Sequence, residues 1–135
     1  MAPVPRVNTP MPQTSTTASR ASASAPSPRL SERAIQNDIL RAFGTRPGLR
    51  IWRQNCGVAR IGERVVRFGV PGQADLTGIL PDGRRLEIEV KSPTGRQTPQ
   101  QAAFQNMIEK FHGIYILARS THDVRQRLAA LGIEY

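Results

Sequence analysis

The sequence predicts a mixed α/β domain, built around a mixed sheet, behind a disordered N-terminal tail. Within residues 30–135, three segments with helical apolar spacing are interspersed with strand-like alternating runs. A wholly apolar segment after the second predicted helix indicates a crossover strand beside an antiparallel hairpin. Residues 1–29 hold six of the eleven prolines and no acidic or aromatic residue. Because such a segment buries too little apolar surface to order itself, we divide the chain into a tail at 1–29 and a domain at 30–135.

The first predicted helix runs from about Ser31 to Phe43. Ser31 is a typical N-cap residue, and Gly44 is a typical residue after the last turn. The helix carries an apolar stripe of Ile35, Ile39 and Phe43.

Two hairpins are predicted next. The segment Leu49–Asn55 alternates polar and apolar residues as a strand, and we expect its Trp52 to lie in the core rather than form a base-stacking surface. Val58–Ile61 and Arg64–Phe68 flank a short turn. The segments from Asp75 to Leu80 and from Arg84 to Lys91 are joined by Pro-Asp-Gly at 81–83, a strong turn signal.

The second predicted helix spans Thr98–His112, capped by Thr98 with a proline at its first position. Its expected apolar stripe comprises Phe104, Met107, Ile108 and Phe111. The apolar segment Ile114–Ala118 is expected to be a central strand buried on both faces. A last helix is predicted from Thr121 to Leu131.

Composition narrows the function. The chain has 19 Lys and Arg residues against 10 Asp and Glu residues, a formal net charge of +9, so nucleic acid is the first partner to consider. An Arg-rich, Lys-poor composition can also arise from genomic base composition. The single cysteine excludes an intramolecular disulfide, and no apolar run approaches the length of a membrane span. We expect a cytoplasmic protein. Because the sequence contains no P-loop or GxGxxG motif, we also expect no nucleotide cofactor.

The most informative stretch ends the second hairpin. Strand alternation places Glu89 and Lys91 on the face opposite Ile88 and Val90. The turn at 81–83 sets Asp75 opposite either Glu89 or Val90, and the sequence leaves these two registers open. Either register brings two carboxylates and one ammonium group to the same end of the hairpin.

These groups suit phosphodiester hydrolysis. Mg²⁺ and Mn²⁺ prefer oxygen ligands, which Asp75, Glu89 and the Val90 carbonyl could supply. A cation there could lower the pKa of bound water, while Lys91 could orient that water and offset phosphate charge. The alternative is an exposed cross-strand ion pair that joins Lys91 to Glu89 or Asp75.

Two polar residues on the helices are expected to face this site. Glu32 shares the inward stripe of the first helix, with Gln36 at its border, and Gln101 lies one turn before Phe104. Each has a plainer alternative, since Glu32 suits the helix dipole and Thr98-x-x-Gln101 is a capping box. The two histidines and the one cysteine show no metal or thiol-enzyme spacing. Five arginines are expected to contact the DNA backbone or else to be ordinary solvated side chains: Arg53, Arg60, Arg64, Arg67 and Arg96.

Three blocks of the chain together resemble the VRR-NUC domain, a branch of the PD-(D/E)xK nuclease superfamily. They are GVPGQADLTG at 69–78, EIEVKSPTGR at 87–96 and TPQQ at 98–101. The Ser31-Glu32 helix start and RQNCG at 53–57 fit the N-terminal pattern of that family. The resemblance extends over about residues 31–128, and Ala74 replaces the superfamily's proline before the aspartate.

The resemblance implies a restriction-endonuclease-like αβββαβ core and Mg²⁺- or Mn²⁺-dependent DNA cleavage that leaves a 5′-phosphate and a 3′-hydroxyl. Asp75 and Glu89 fall on the metal-ligand positions and Lys91 on the catalytic lysine. Glu32 falls on the first-helix acid, acting through water or a second ion, and Gln101 on a glutamine that positions Lys91 or the phosphate. Small stand-alone members resemble phage homodimers that act on branched DNA, such as Holliday junctions or flaps.

Three other functions stay open on sequence alone. A sequence-specific restriction-type nuclease would cut linear duplex at one short site. A non-catalytic DNA-binding module would bind without metal and with a salt dependence set by its phosphate contacts. A nuclease for RNA or single strands is a weaker alternative.

Overall fold

The computed structural model describes residues 30–135, so the tail predicted at 1–29 lies outside the described residues. The described chain forms three helices and six strands. The helices are α1 (Glu32–Phe43), α2 (Pro99–Lys110) and α3 (Thr121–Ala130). The strands are β1 (Arg50–Arg53), β2 (Gly57–Ile61), β3 (Arg64–Phe68), β4 (Leu76–Ile79), β5 (Arg85–Val90) and β6 (Ile114–Ala118). The predicted mixed α/β class is confirmed.

Four strands make a mixed sheet in the order β1-β4-β5-β6. Strand β4 pairs antiparallel with β1 and β5, and β5 pairs parallel with β6 after the crossover through α2. The prediction that the apolar strand at 114–118 is central was wrong, because β6 is an edge strand and its Leu117 is 40% exposed. An apolar run indicates that helices cover the faces of a strand, but it does not indicate where the strand lies in the sheet.

The two faces of the sheet have separate cores. Helices α1 and α3 cover one face, where Ile88 and Val90 of β5 meet the apolar stripe of α1. Helix α2 packs on the other face against β6, with a smaller core of Ala74, Phe104, Ile108 and Tyr115. Glu87 and Glu89 lie on this second face and are buried, whereas alternation alone gave no measure of their exposure.

The apolar surface of α2 is narrower than predicted. Phe104 and Ile108 are buried, but Met107 is 39% exposed and Phe111 is 73% exposed. The helix ends at Lys110, and the chain then turns through His112, which adopts a positive φ of 64°. Because α2 lies over the edge of a four-stranded sheet, one side of its predicted apolar stripe remains exposed.

Trp52 was wrongly predicted to be a core residue. It lies on the edge strand β1 and is 46% exposed, because α2 covers the other edge of that face.

Strands β2 and β3 form a separate two-stranded ribbon, inserted between β1 and β4, as the predicted hairpin requires. Within residues 30–135, no helix has the length and hydropathy needed to cross a membrane.

Candidate active site

The β4–β5 hairpin brings Asp75 and Glu89 together. The register pairs Leu76 with Ile88, so Asp75, the residue before β4, lies opposite Glu89. The backbone N–H of Val90 donates to Asp75 Oδ2 at 2.8 Å. The register of β4 and β5 thus decides between the two pairings that the sequence left open, and the hydrogen bond ties Asp75 to the end of β5.

Glu89 forms a buried ion pair with Lys91. The Glu89 side chain is 2% exposed and that of Lys91 is 12% exposed, and Lys91 Nζ lies 2.9 Å from Glu89 Oε1. The same oxygen accepts a hydrogen bond from Gln101 Nε2 on α2. The ion pair that the sequence offered as an alternative is therefore formed between Lys91 and Glu89, but its predicted exposure was wrong, because the Glu89 side chain is buried and α2 donates to it.

Burial disfavours the ionised form of both carboxyl groups. It raises the pKa of Glu89 to about 7, even though the Lys91 ammonium works in the opposite direction. Burial also raises the pKa of Asp75, and the Val90 N–H partly counters that effect. The negative charges of Asp75 and Glu32 raise the pKa of Glu89 further. A positive charge added between these carboxylates would relieve both the desolvation and the repulsion.

The oxygen atoms left at this end of the hairpin fit a hard cation. Among the described residues Glu89 Oε2 is buried and has no hydrogen-bond partner, and Val90 directs its carbonyl to the same edge of β5 as the N–H that meets Asp75. Within residues 30–135, no cluster of three or more His, Cys, Asp or Glu side chains is placed to hold a metal ion. Mg²⁺ commonly uses only one or two protein carboxylates and keeps several waters, so this donor set matches its chemistry.

Glu32 lies at the rim of the site. It is exposed, whereas the sequence suggested that it shares the buried stripe of α1. Its Oε1 accepts a hydrogen bond from the Ser92 N–H at 3.0 Å, directly after β5. Its charge raises the pKa of Asp75 and of Glu89, so the carboxylate lies within electrostatic reach of both. The first turn of α1 is thus joined to the strand end that carries Lys91.

Gln101 has both of the roles that the sequence offered as alternatives. Its Oε1 accepts from the Thr98 N–H at 2.9 Å, and its own N–H donates to Thr98 Oγ1 at 3.2 Å, which completes a capping box. Its Nε2 meanwhile donates to Glu89. The amide contacts the Glu89 carboxylate instead of Lys91, which was one of the two groups, Lys91 or the phosphate, that Gln101 was expected to position.

The five arginines fall into three groups. Arg53 donates to Gln36 and Asn37 on α1, and its charge lowers the pKa of Asp75, so it is a structural neighbour of the site. Arg96 is exposed in the loop between β5 and α2. The others are exposed on the β2–β3 ribbon: Arg60, Arg64 and Arg67.

A cavity of about 420 Å³ lies between the ribbon and the first turn of α2. Its walls include Arg67 from β3, Gln73 from the loop before β4, and Gln101 from the first turn of α2. Cys56 also lines it, with its Sγ 3.3 Å from Gln73 Oε1, and partial burial raises the pKa of this thiol. Gln101 is the residue that this cavity shares with the candidate site.

The sequence analysis missed two polar residues beside the site. Glu87 is completely buried; its Oε1 accepts from Thr77 Oγ1 at 2.8 Å and from Arg85, and its Oε2 has no partner. Arg119 donates to the carbonyls of Ser92 and Gly95 and fastens the loop after Lys91. Alternation already put Glu87 on the Glu89 face, so its place was predictable although its burial was not. No local signal pointed to Arg119.

Comparison with known proteins adds no identification. No protein-family model matches the chain, and no curated protein matches it.

Proposed function

We propose that this protein is a metal-dependent DNA endonuclease of the VRR-NUC type. One observation carries the proposal. The buried carboxylate of Glu89 is held through Oε1 by Lys91 and Gln101, its Oε2 is unpartnered, and Asp75 lies directly opposite. In a protein that only binds DNA, two desolvated acids beside a single lysine would oppose binding, since both acids repel phosphate.

Asp75, Glu89 and the Val90 carbonyl would hold Mg²⁺ or Mn²⁺, and Glu32 would contribute from the rim through water or a second ion. The cation, when bound, supplies positive charge that activates water and offsets the charge on the phosphodiester. The Val90 N–H keeps the Asp75 carboxylate aimed at this edge of β5. Gln101 keeps Glu89 from rotating, so that Oε2 stays directed away from the helix.

Lys91 is the residue that acts on the attacking water. Its ammonium group is nearly enclosed and lies beside Glu89, so it can orient a water molecule and stabilise negative charge on the phosphate in a site of low polarity. In this reaction the water oxygen attacks phosphorus and the P–O3′ bond breaks. The products are a 5′-phosphate and a 3′-hydroxyl, and the 3′-oxygen takes up a proton.

Branched DNA is the proposed substrate. The domain at residues 30–135 has 16 basic and 10 acidic residues, a net charge of +6, and its ribbon carries three exposed arginines. A domain of this size leaves little room for elements that read a base sequence. A symmetric homodimer would present two such sites to a Holliday junction or a flap. The order α1-β1-β4-β5-α2-β6, with the ribbon inserted after β1, supports a restriction-endonuclease-like core.

Cleavage of a labelled DNA panel tests the proposal. The panel contains a four-way junction, a flap, a linear duplex and a single strand, each with Mg²⁺, Mn²⁺ or EDTA. We expect cutting of the branched molecules with either metal and none in EDTA. Cutting of linear duplex at one short site would identify a restriction-type nuclease instead. Junction binding in EDTA without cutting under any condition would identify a non-catalytic DNA-binding module.

A further inference from the structure

Trp52, the one tryptophan of the chain, lies close to the proposed site. It is 46% exposed on β1 and pairs in register with Thr77 of β4. Because residues two apart along a strand share a face, Thr77 and Asp75 project from the same side of the sheet. The Trp52 indole therefore lies on the same face of the sheet as Asp75, one strand away and two residues along the strand direction.

That spacing matches one nucleotide. Two residues along a strand span roughly 7 Å, and adjacent strands lie about 4.8 Å apart, so the Trp52 and Asp75 backbones are about 8 Å apart. One extended nucleotide covers such a span. The backbone N–H of Gln54, two residues after Trp52, donates to the Asp75 carbonyl at 2.9 Å, so the edge strand is tied directly to the site.

Beside the indole is a cavity of about 260 Å³, large enough for a purine or pyrimidine ring. It combines a wide aromatic face with polar groups that suit the edge of a base. The Arg85 side chain is 52% exposed and has further N–H groups besides the one it gives Glu87, and Gln54 adds a carboxamide. Besides Trp52, Gln54 and Arg85, the cavity is lined by Thr77, Gly78, Ile79 and Gly83.

We propose that this cavity receives an unpaired nucleobase next to the cleaved phosphate, stacked on Trp52. The inference rests on the proposed nuclease function and specifies its substrate as DNA with an unpaired nucleotide at the cut. A base inside an intact duplex is already stacked on both faces and cannot enter, whereas an unpaired base at a flap or gap can. The guanidinium and amide groups in the wall favour a nucleotide over an apolar protein segment.

Fluorescence of the single tryptophan tests the inference in EDTA, where the proposed cleavage is off. The probes are a single-stranded oligothymidine, a gapped duplex, and a blunt duplex of equal length. We expect the first two to quench Trp52 emission and the blunt duplex to leave it unchanged. An abasic site at the gapped position should remove the quenching.

Affinity measurements with variants complete the test. Trp52→Ala should weaken binding of the gapped duplex by roughly five-fold or more, and Trp52→Phe should retain most of the affinity. Phe111→Ala, which removes another exposed aromatic ring directly after α2, is the matched control and should bind as the wild type does. Circular dichroism checks that each variant is folded.

Three results would overturn the inference. They are equal quenching by blunt and gapped duplex, unchanged affinity of Trp52→Ala, or an emission change with protein concentration in the absence of DNA, which would assign the face to a second copy. Failure of the nuclease is a separate result. DNA left uncut with metal, together with quenching by unpaired bases, would keep the base site and reject the catalytic proposal.

Discussion

Gln101 on α2 donates a hydrogen bond to Glu89 Oε1 on β5, the same oxygen that receives the Lys91 ammonium group. Both donors therefore use one carboxylate oxygen and leave Oε2 buried without a partner. A buried unpartnered carboxylate oxygen is costly in a folded protein, and a bound cation would satisfy the one on Glu89. The predictions below follow from this asymmetry and from the groups around it.

Replacement of Lys91 should abolish cleavage while the fold persists. For Lys91→Ala we expect the rate of junction cleavage with Mg²⁺ to fall by about 100-fold or more, because the group that orients water is lost. The only other lysine of the chain supplies the control. Lys110→Ala removes a positive charge from the exposed end of α2 and should cut at the wild-type rate. Cleavage by Lys91→Ala at an undiminished rate would refute the assignment of the site.

Divalent cations should stabilise the folded protein. At a metal concentration of 100 times Kd, binding to the native state adds about 2.7 kcal/mol to the free energy of unfolding. Thermal unfolding with and without Mn²⁺ should show a higher Tm for the wild type and no shift for Glu89→Gln or Asp75→Asn. Glu63→Gln, in the turn of the ribbon, should keep the full shift. A shift retained in Glu89→Gln would mean that the metal binds elsewhere.

The stability of the metal-free protein should rise as the pH falls from about 8 to 5. The pKa of Glu89 is about 7 in the folded protein against 4.5 for an ordinary glutamate, so the folded state takes up a proton before the unfolded state does. Protonation should recover up to roughly 3 kcal/mol in this window, and the raised pKa of Asp75 acts in the same direction. Urea unfolding in EDTA measures the effect. Glu89→Gln should flatten the dependence, and an unchanged slope in that variant would assign it to other groups.

Gln101→Ala should reduce both stability and cleavage. The variant loses the capping bond to Thr98 and the bond to buried Glu89, which together should cost about 2 kcal/mol in the free energy of unfolding. Cleavage should fall further than stability explains, since Glu89 is then free to rotate. The neighbouring exposed Gln100→Ala has neither hydrogen bond and is the control. Cleavage by Gln101→Ala at the wild-type rate under conditions where it is fully folded would remove its positioning role.

The ribbon should supply affinity for the DNA backbone. In EDTA, replacing Arg60, Arg64 and Arg67 together by alanine should weaken binding to a junction. It should also reduce the slope of log affinity against log salt by up to about 3, since each lost phosphate contact contributes about 0.9. Arg125→Ala with Arg127→Ala, both exposed on α3, serves as the control for lost charge. An equal loss of slope per arginine removed in the two variants would indicate general attraction rather than contact by the ribbon.

Much of the fold was predictable because its signals are local. Ser31 and Thr98 cap the helices that they were expected to cap, and the Pro-Asp-Gly turn at 81–83 joins the predicted hairpin strands. Alternation also separated Glu89 from the apolar face of β5. Each of these features depends on backbone geometry and hydrogen bonds within a few residues, which the sequence specifies directly.

The errors over apolar residues share one physical origin. Trp52 was expected in the core, Ile114–Ala118 in the centre of the sheet, and Met107 and Phe111 in the buried stripe of α2. In each case the sequence indicated apolar character correctly, but the described fold leaves Trp52, Met107, Phe111 and Leu117 of β6 exposed at the edges of the sheet or of α2. Hydrophobicity indicates that burial of a residue is favourable in free energy, whereas the packing of distant elements determines whether that residue is buried.

By itself the sequence determined the elements of this protein, the turn that joins β4 to β5, and the face that Glu89 and Lys91 share. Only the tertiary structure decided that Asp75 is opposite Glu89, that α2 buries the acid, and that Glu32 reaches Ser92, 60 residues away in the chain. Local propensity and side-chain alternation act between near neighbours, so they can be read along the chain. Burial and charge coupling arise between elements that meet only when the whole domain packs, and these decide the chemistry of the site.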